Sequence, residues 1–274
     1  MKRLVALGTV LALVVYTGAE PTVSGYTASL ANSTDTVSMA ANTCMTRPLA
    51  DSPTRFYPLN ETTGTTAFDL SPSAANGVYQ GGRQTVSVAA YPCVRDTQAY
   101  AVLDTLHFVS TTGALTISAT TSQSHEAWFR TVTGVGVITG FGDTISGAST
   151  KKDNLLVVTT SGKIGFLTYN GVNYEILSSF AFNDGAWHHV VGVHDASFGI
   201  RLYLDGALMT SLAGAHPETV TGYVRIGYES TAGYTNGFGS SQLLAHFVGN
   251  LAFVAYYPYA LSAAQVLAHY NAGR

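Results

Sequence analysis

The chain has 274 residues, of which 46% are apolar and only 11% charged. That length allows two average domains or one large β-sandwich, and the apolar fraction is enough to bury a sizeable core. A net charge of −3 without any run of like charges excludes a basic footprint for nucleic acid and a charged interaction tail.

At the N-terminus, Lys2 and Arg3 precede an apolar stretch from Leu4 to Tyr16. The stretch is shorter than the ~20 residues that a membrane-spanning helix needs. With Thr17-Gly18-Ala19 behind it, the segment 1–19 reads as a signal peptide for export, cleaved after Ala19. The alternative is a retained anchor or filament-forming helix. Residues 20–53 are rich in Ser, Thr, Ala and Asn, with strand character around Gly25 to Leu30. The two cysteines are Cys44 and Cys93. In an exported chain an even pair reads as a disulfide. Closing that long loop stabilises the fold by roughly 4 kcal/mol in the chain-entropy model, and it ties the N-terminal segment to the body. Two cysteines with no cluster of Cys or His nearby do not make a zinc site.

From Arg55 onward short apolar segments alternate with turns. The pattern predicts strands at Leu106–Val109, Ala114–Ser118, His125–Val132, Val135–Phe141, Asn154–Thr159, Ile164–Tyr169 and Tyr174–Ser178. More follow at Trp187–Val193, Ile200–Leu204, Tyr223–Tyr228 and His246–Tyr257. Asp184-Gly185 marks a turn, and Asp205-Gly206 reads as the type I′ turn of a hairpin, which needs φ > 0 at both central residues. Many closely spaced strands with almost no helical periodicity argue for a sandwich. One helix closes the chain. Ser262 and Gln265 make a capping box, Val266, Leu267 and Tyr270 share a face, and Asn271 and Gly273 suit its end.

The order of these parts is itself specific. DGAWHHVVGVHD (Asp184 to Asp195) runs into IRLYLDGALM (Ile200 to Met209). YPLNETTGTTAFDLSPSAANGVYQGG (Tyr57 to Gly82), HEAWFR (His125 to Arg130), KIGFLTYNG (Lys163 to Gly171) and GYVRIGYE (Gly222 to Glu229) surround that hairpin. FVGNLAFVAYYPYALSAAQVLAHY (Phe247 to Tyr270) follows. Over about four-fifths of its length the chain resembles the LamG-like jelly-roll domains of the concanavalin A-like lectin/glucanase group. The resemblance implies an all-β fold, a two-sheet antiparallel jelly-roll β-sandwich with a short C-terminal helix, over residues 54–274. It is nearest to secreted bacterial proteins that carry one such domain behind a cysteine-bearing segment. A secreted or cell-surface location is therefore expected.

Hydrolases of this group carry Glu-x-Asp-x-x-Glu on one strand, because glycoside hydrolysis needs two flanking carboxylates. No such run exists here, and Glu126 and Glu175 each stand alone in sequence. A Gly-x-Ser-x-Gly elbow is also absent. His188 and His189 are adjacent, so on a strand they face opposite sides and cannot share an ion. The expected arrangement is one ring buried and hydrogen-bonded, the other at the surface. Related folds often hold calcium, a cation that takes oxygen ligands. The resemblance places Asp69 and Asn76 as its ligands, with Glu61 third, against a plain Asx turn without metal. The closing strand departs from the family's Gly-x-Ile-Asp-Glu-Val. It reads Gly249-Asn250-Leu251-Ala252-Phe253-Val254, with both acidic positions apolar.

Sugar recognition in such folds uses aromatic platforms beside amides and hydroxyls. Tyr169, Asn170 and Tyr174 surround one tight turn, and Tyr234, Asn236 and Phe238 lie in a Gly-rich loop. These six residues are the expected ligand site, with packing ballast as the competing reading. The expectation is an exported, non-catalytic recognition module whose partner is an extracellular glycan or surface protein, with no nucleic acid and no cofactor other than calcium. Membrane contact is limited to the export signal. The alternatives are a structural or adhesive surface protein and, third, a glycosidase with an unusual acid pair.

Overall fold

The computed structural model describes residues 43–82, 85–86, 91–96, 98–133, 135–234 and 245–274. The expected signal peptide and the segment as far as residue 42 lie outside the described residues. In chain order the elements begin with α1 (Thr46–Ala50), β1 (Arg55–Tyr57), β2 (Thr66–Ala67), β3 (Gly77–Gln80), β4 (Thr85–Val86), β5 (Tyr100–Leu103), β6 (Phe108–Ser110) and β7 (Leu115–Ile117). Next come β8 (Gln123–Arg130), β9 (Gly136–Gly142), β10 (Lys152–Val158), β11 (Lys163–Tyr169), β12 (Asn173–Ala181), β13 (His188–Asp195) and β14 (Gly199–Leu204). The chain ends with β15 (Ala207–Ala213), β16 (Val220–Ile226), β17 (Tyr228–Glu229), β18 (Ala245–His246), β19 (Gly249–Tyr257) and α2 (Ala263–Ala272).

Among the described residues these strands form two sheets. The first runs β15-β14-β13-β8-β19-β5-β4, with β1 paired to β19. The second runs β12-β11-β10-β9-β16-β6-β3-β2, with β7, β17 and β18 attached beside that path. Pairing is antiparallel apart from one bridge, His246 to Val137. The two sheets face each other as a sandwich, the fold class expected from the sequence.

Side-chain alternation sorts the cores. Along β8, Ala127 and Phe129 point between the sheets, where they meet Phe141, Phe166, Leu202 and Leu251. Trp128 points the other way, into a second apolar layer with Tyr100, Tyr203 and Val266. That layer is closed by α1 and α2. Because both faces of β8 are covered, seven of its eight residues are buried.

Local signals act as expected. Asp205 and Gly206 have φ of 49° and 79°, the two positive values of a type I′ turn. Ser262 and Gln265 cap α2 reciprocally. The buried face of α2 is a correction. Val266, His269 and Ala272 face inward, and Leu267 is 47% exposed. The helix is rotated so that His269 reaches a carboxylate beneath it. The body also begins earlier than residue 54. It runs from Thr43, because α1 and Cys44 belong to the outer layer.

That carboxylate is Glu126. His189 Nε2 lies 2.7 Å from its Oε1, His269 Nδ1 lies 2.9 Å from Oε2, and Tyr257 donates to Oε2 at 2.7 Å. His269 Nε2 meets Asp51, beyond the end of α1, at 2.8 Å. Glu126, alone in sequence, thus ties two strands and both helices together. Burial would raise the Glu126 pKa, but His269 and His189 hold it well below the carboxylate range. Burial would lower that of His269, but Glu126 and Asp51 raise it. The adjacent pair also separates as expected. His189 is buried on Glu126, and His188 lies nearer the surface between Asp205 and Asp184, at 2.8 and 3.1 Å.

Glu126→Gln is expected to cost about 3–5 kcal/mol, because it removes the buried anion from one side of the His269 imidazolium and leaves Asp51 alone on the other. A depressed carboxyl contributes stability above its unfolded value of 4.5, and that contribution is lost as pH falls. A raised histidine contributes below 6.5, and its contribution is lost as pH climbs through the raised value. The difference between wild type and variant should therefore peak between pH about 5 and 6.5 in urea titrations. His125 gives an opposite case. It is fully buried edge-on to Tyr256, neither ring nitrogen has a hydrogen-bond partner among the described residues, and burial lowers its pKa to about 3. His125→Leu should stabilise the fold by about 1–2 kcal/mol at pH 7. Below pH 6.5 the advantage should widen by up to about 1.4 kcal/mol per pH unit, because only the wild type must bury a base that the unfolded chain protonates.

Candidate functional site

The outer face of the second sheet carries a third small apolar cluster. Val137, Leu155, Val157 and Leu167 form its floor, and the ring of Tyr234 covers them. Tyr234 is 2% exposed, and its hydroxyl donates to the Lys152 carbonyl at 3.3 Å. The loop residue expected to be exposed is therefore a buried lid, because apolar side chains on that face need a cover.

Beside this lid the face is polar. The strand period of two places Tyr169 on the same side as Leu167, and Asn173 is its register partner across the β11–β12 hairpin. Gly171, with φ of 77°, allows the tight turn between them. Asn173 donates its side-chain N–H to the Gly233 carbonyl, which joins the hairpin to the 230–234 loop. A cavity of 290 Å³ opens where they meet, with Tyr169 and Asn173 on one wall and Ala232, Gly233 and Tyr234 on another. Thr150, Lys152 and Glu218 complete it.

Each wall is pinned by a carboxylate. Asp143 accepts the backbone N–H groups of Thr150 and Lys151 at 2.9 and 3.0 Å. Lys151 reaches across to Glu218 at 2.9 Å. Glu229, buried with Arg225 at 2.9 Å, accepts the Ser149 N–H at 3.0 Å and its hydroxyl at 2.7 Å. Arg225 in turn donates to the carbonyls of Thr144 and Gly147 and stacks over Tyr228 at 4.1 Å. The loop before Lys152 is thus fixed from inside.

Of the six expected ligand residues, the fold brings Tyr169 and Tyr234 together. Asn170 sits exposed at the hairpin tip, outside the cavity. Tyr174 pairs with Thr168, one residue out of phase with Tyr169, so it packs on the inter-sheet core. Asn236 and Phe238 lie outside the described residues. Thr150, Lys152 and Glu218 were missed. Thr150 and Lys152 precede the hairpin, around the start of β10, and Glu218 follows it just before β16, and no local motif announces that these positions meet.

The expected calcium ligands do something else. Asp69 Oδ1 accepts from Phe56 N–H at 2.8 Å and Ser71 N–H at 2.9 Å, and Oδ2 accepts from Ala75 N–H at 3.0 Å. Asn76 Oδ1 accepts from Asp69 N–H at 2.9 Å. Glu61 takes Phe68 N–H at 2.7 Å and the Tyr79 hydroxyl at 2.6 Å. These oxygens face N–H and O–H donors, and among the described residues no three acids, histidines or cysteines converge for a metal. In this structure the set serves as a backbone clamp. The apolar replacement in β19 fits this reading, since Phe253 stacks on Phe56 at 6.5 Å and enters the outer core.

Cys44 and Cys93 are free thiols here, both buried. They lie side by side, with Cys44 N–H donating to the Cys93 sulfur at 3.3 Å and that sulfur 3.4 Å from the Ala272 carbonyl. No described helix is long and apolar enough to cross a membrane.

Several solved structures share the fold. Domain 4 of AbnA, a GH43 extracellular arabinanase from Geobacillus stearothermophilus solved with arabinotriose, superposes with a TM-score of 0.55. Identity is 14% over 81% of this chain and 98% of that one. The binding domain of Paraclostridial Mosquitocidal Protein 1 gives 0.54 at 14% identity, covering 81% of this chain and 52% of that one. The botulinum neurotoxin serotype G binding domain gives 0.52 at 11%, covering 80% and 50%. The chain thus spans about half the length of these toxin domains. At such identities the likeness is one of fold. No curated protein matches the sequence. Residues 97–267 match the family model described as the concanavalin A-like lectin/glucanases superfamily, and the chain belongs to that family.

Proposed function

We propose that the chain is an exported, non-catalytic module that binds an extracellular glycan in the cavity between the β11–β12 hairpin and the 230–234 loop. The observation that carries this reading is the convergence of Lys152, Tyr169 and Asn173, from three neighbouring strands, on one polar hollow beside an aromatic ring. Its 290 Å³ lies near the lower bound of ordinary ligand sites, about 300 Å³. That suits one or two sugar rings rather than a long chain. A half-exposed tyrosine offers a face for sugar C–H groups, and the amide, ammonium and carboxylate offer donors and acceptors for hydroxyls. The sugar-bound relative of similar fold supports the reading. The acid knot at Glu126 sits under α2 without access to solvent, which argues against a catalytic pair there.

Export is supported by the apolar N-terminal stretch behind Lys2 and Arg3. In an oxidising compartment the adjacent thiols of Cys44 and Cys93 close into a disulfide. One observation favours the structural or adhesive alternative. Edge strand β15 has no charged residue, and Leu208 is 53% exposed, whereas edges are usually guarded by charge.

A glycan array that includes arabinotriose tests the site. Tyr169→Ala and Asn173→Ala should each weaken binding of a captured sugar at least tenfold, with melting temperatures showing that both remain folded. Asn170→Ala, at the hairpin tip, should bind as wild type. Equal binding by all three, or no sugar bound and concentration-dependent self-association instead, would transfer the function to protein contacts. For the sulfur pair, mass spectrometry of unreduced peptides from secreted material should find Cys44 linked to Cys93. Alkylation of both in native protein would refute it.

A further inference from the structure

Beneath the cavity lies a carboxylate that lines none of it. Asp153 is fully buried, one residue after Lys152. Its Oδ1 accepts the Tyr169 N–H at 2.9 Å and the Thr168 hydroxyl, and its Oδ2 accepts the Glu218 N–H at 3.2 Å. Glu218 N–H is shared with the Tyr169 carbonyl at 2.6 Å. One side chain therefore connects β10, β11 and the segment before β16, and both N–H donors it takes from outside β10, on Tyr169 and Glu218, belong to residues that line the cavity.

We infer that Asp153 is the positioning residue of this pocket, holding the backbone of Tyr169 and of Glu218 from below. The inference rests on reading the cavity as the binding site. Asp153 touches no ligand; it sets where the aromatic face and the acidic wall stand relative to Lys152. The bulge after it, where the β10–β9 register shifts between Asp153 and Leu156, turns the carboxylate toward these donors.

The arrangement makes the pocket sensitive to pH. Burial pushes the Asp153 carboxyl up to about 7, against the pull of the Thr168, Tyr169 and Glu218 hydrogen bonds. The other charged or titratable groups around it are Lys151, held by Glu218, and the rings of Tyr169 and Tyr234. Above about pH 7 the carboxylate has acceptors for every donor. Below it, one oxygen carries a proton and meets an N–H or O–H donor head-on, so the hold on Glu218 or Thr168 is lost. The sign for folding is the reverse. A carboxyl raised on folding costs stability as pH climbs from 3.8 to about 7. The fold is tighter at the pocket where it is globally less favoured, as expected of a group placed for binding.

The test is a nitrogen-15 NMR titration of the ligand-free protein from pH 5.5 to 8.5, paired with arabinotriose binding at pH 6 and 8. The Tyr169 and Glu218 amide signals should move together with one midpoint near 7, and Asp153→Asn should abolish the movement. Wild-type affinity for arabinotriose should rise at least threefold from pH 6 to 8, and the variant should bind weakly and without pH dependence. Amide signals that do not share a midpoint, or a variant that binds and titrates as wild type, overturn the inference. If Asp153→Asn does not fold, the wild-type amide titration decides alone. If arabinotriose is not bound at either pH, the amide titration still decides whether Asp153 holds the pocket. Failure of the whole glycan array, with the amide movement intact, would instead count against the binding reading.

Discussion

A carboxylate buried beneath a helix, with two imidazoles and a phenol around it, governs how this sandwich is covered. Glu126 cannot be ionised in that place unless its oxygens are satisfied, and the partners come from β13, β19 and α2. Asp51 extends the chain of contacts to the end of α1. Such a knot is costly to assemble and more costly to break, since removing one member strands the rest. It fixes the rotation of α2, and with it the lid over the outer face of the first sheet. A sheet buried on both sides cannot offer a broad surface to a ligand. The second sheet, whose outer face is covered by Tyr234 and the 230–234 loop on one side and left polar on the other, is where a site can form.

Several of the chain's few carboxylates serve as backbone clamps. Asp69, Asp143, Asp153, Asp205 and Glu229 all accept backbone N–H groups from neighbouring segments. A carboxylate that accepts two or three such bonds fixes loop geometry without a helix or a metal. This is why loops of neutral, small residues hold a defined shape here, and why the expected calcium pair turns out to be a clamp. The walls of the cavity are built this way, from Asp143 on one side, Glu229 behind and Asp153 below.

The same economy explains what could be read in advance. Alternation of apolar residues, Asp-Gly turns and the Ser262–Gln265 box are local, and they act over a few residues through φ preferences and single hydrogen bonds. They made β8, β11, β13, β14 and α2 legible within a residue or two. Tyr169 was legible as well, because a turn between two aromatic strands exposes the ring at its end. Phase was not: a shift of one residue sends Tyr174 to the core while Tyr169 faces out, and only the register with β11 sets it.

By itself the sequence determined the class of fold, the chain order of most of the strands and the hairpin that lines the cavity, because each follows from periodicities and turn chemistry that span a few residues. Only the tertiary structure decided which carboxylates are clamps, that Glu126 has partners, that Tyr234 is a lid, and that Thr150, Lys152 and Glu218 join Tyr169 around one hollow. Those outcomes depend on contacts between segments far apart in the chain. Burial turns a side chain with no sequence partner into one that must find a donor, and the fold alone determines which donor is within reach.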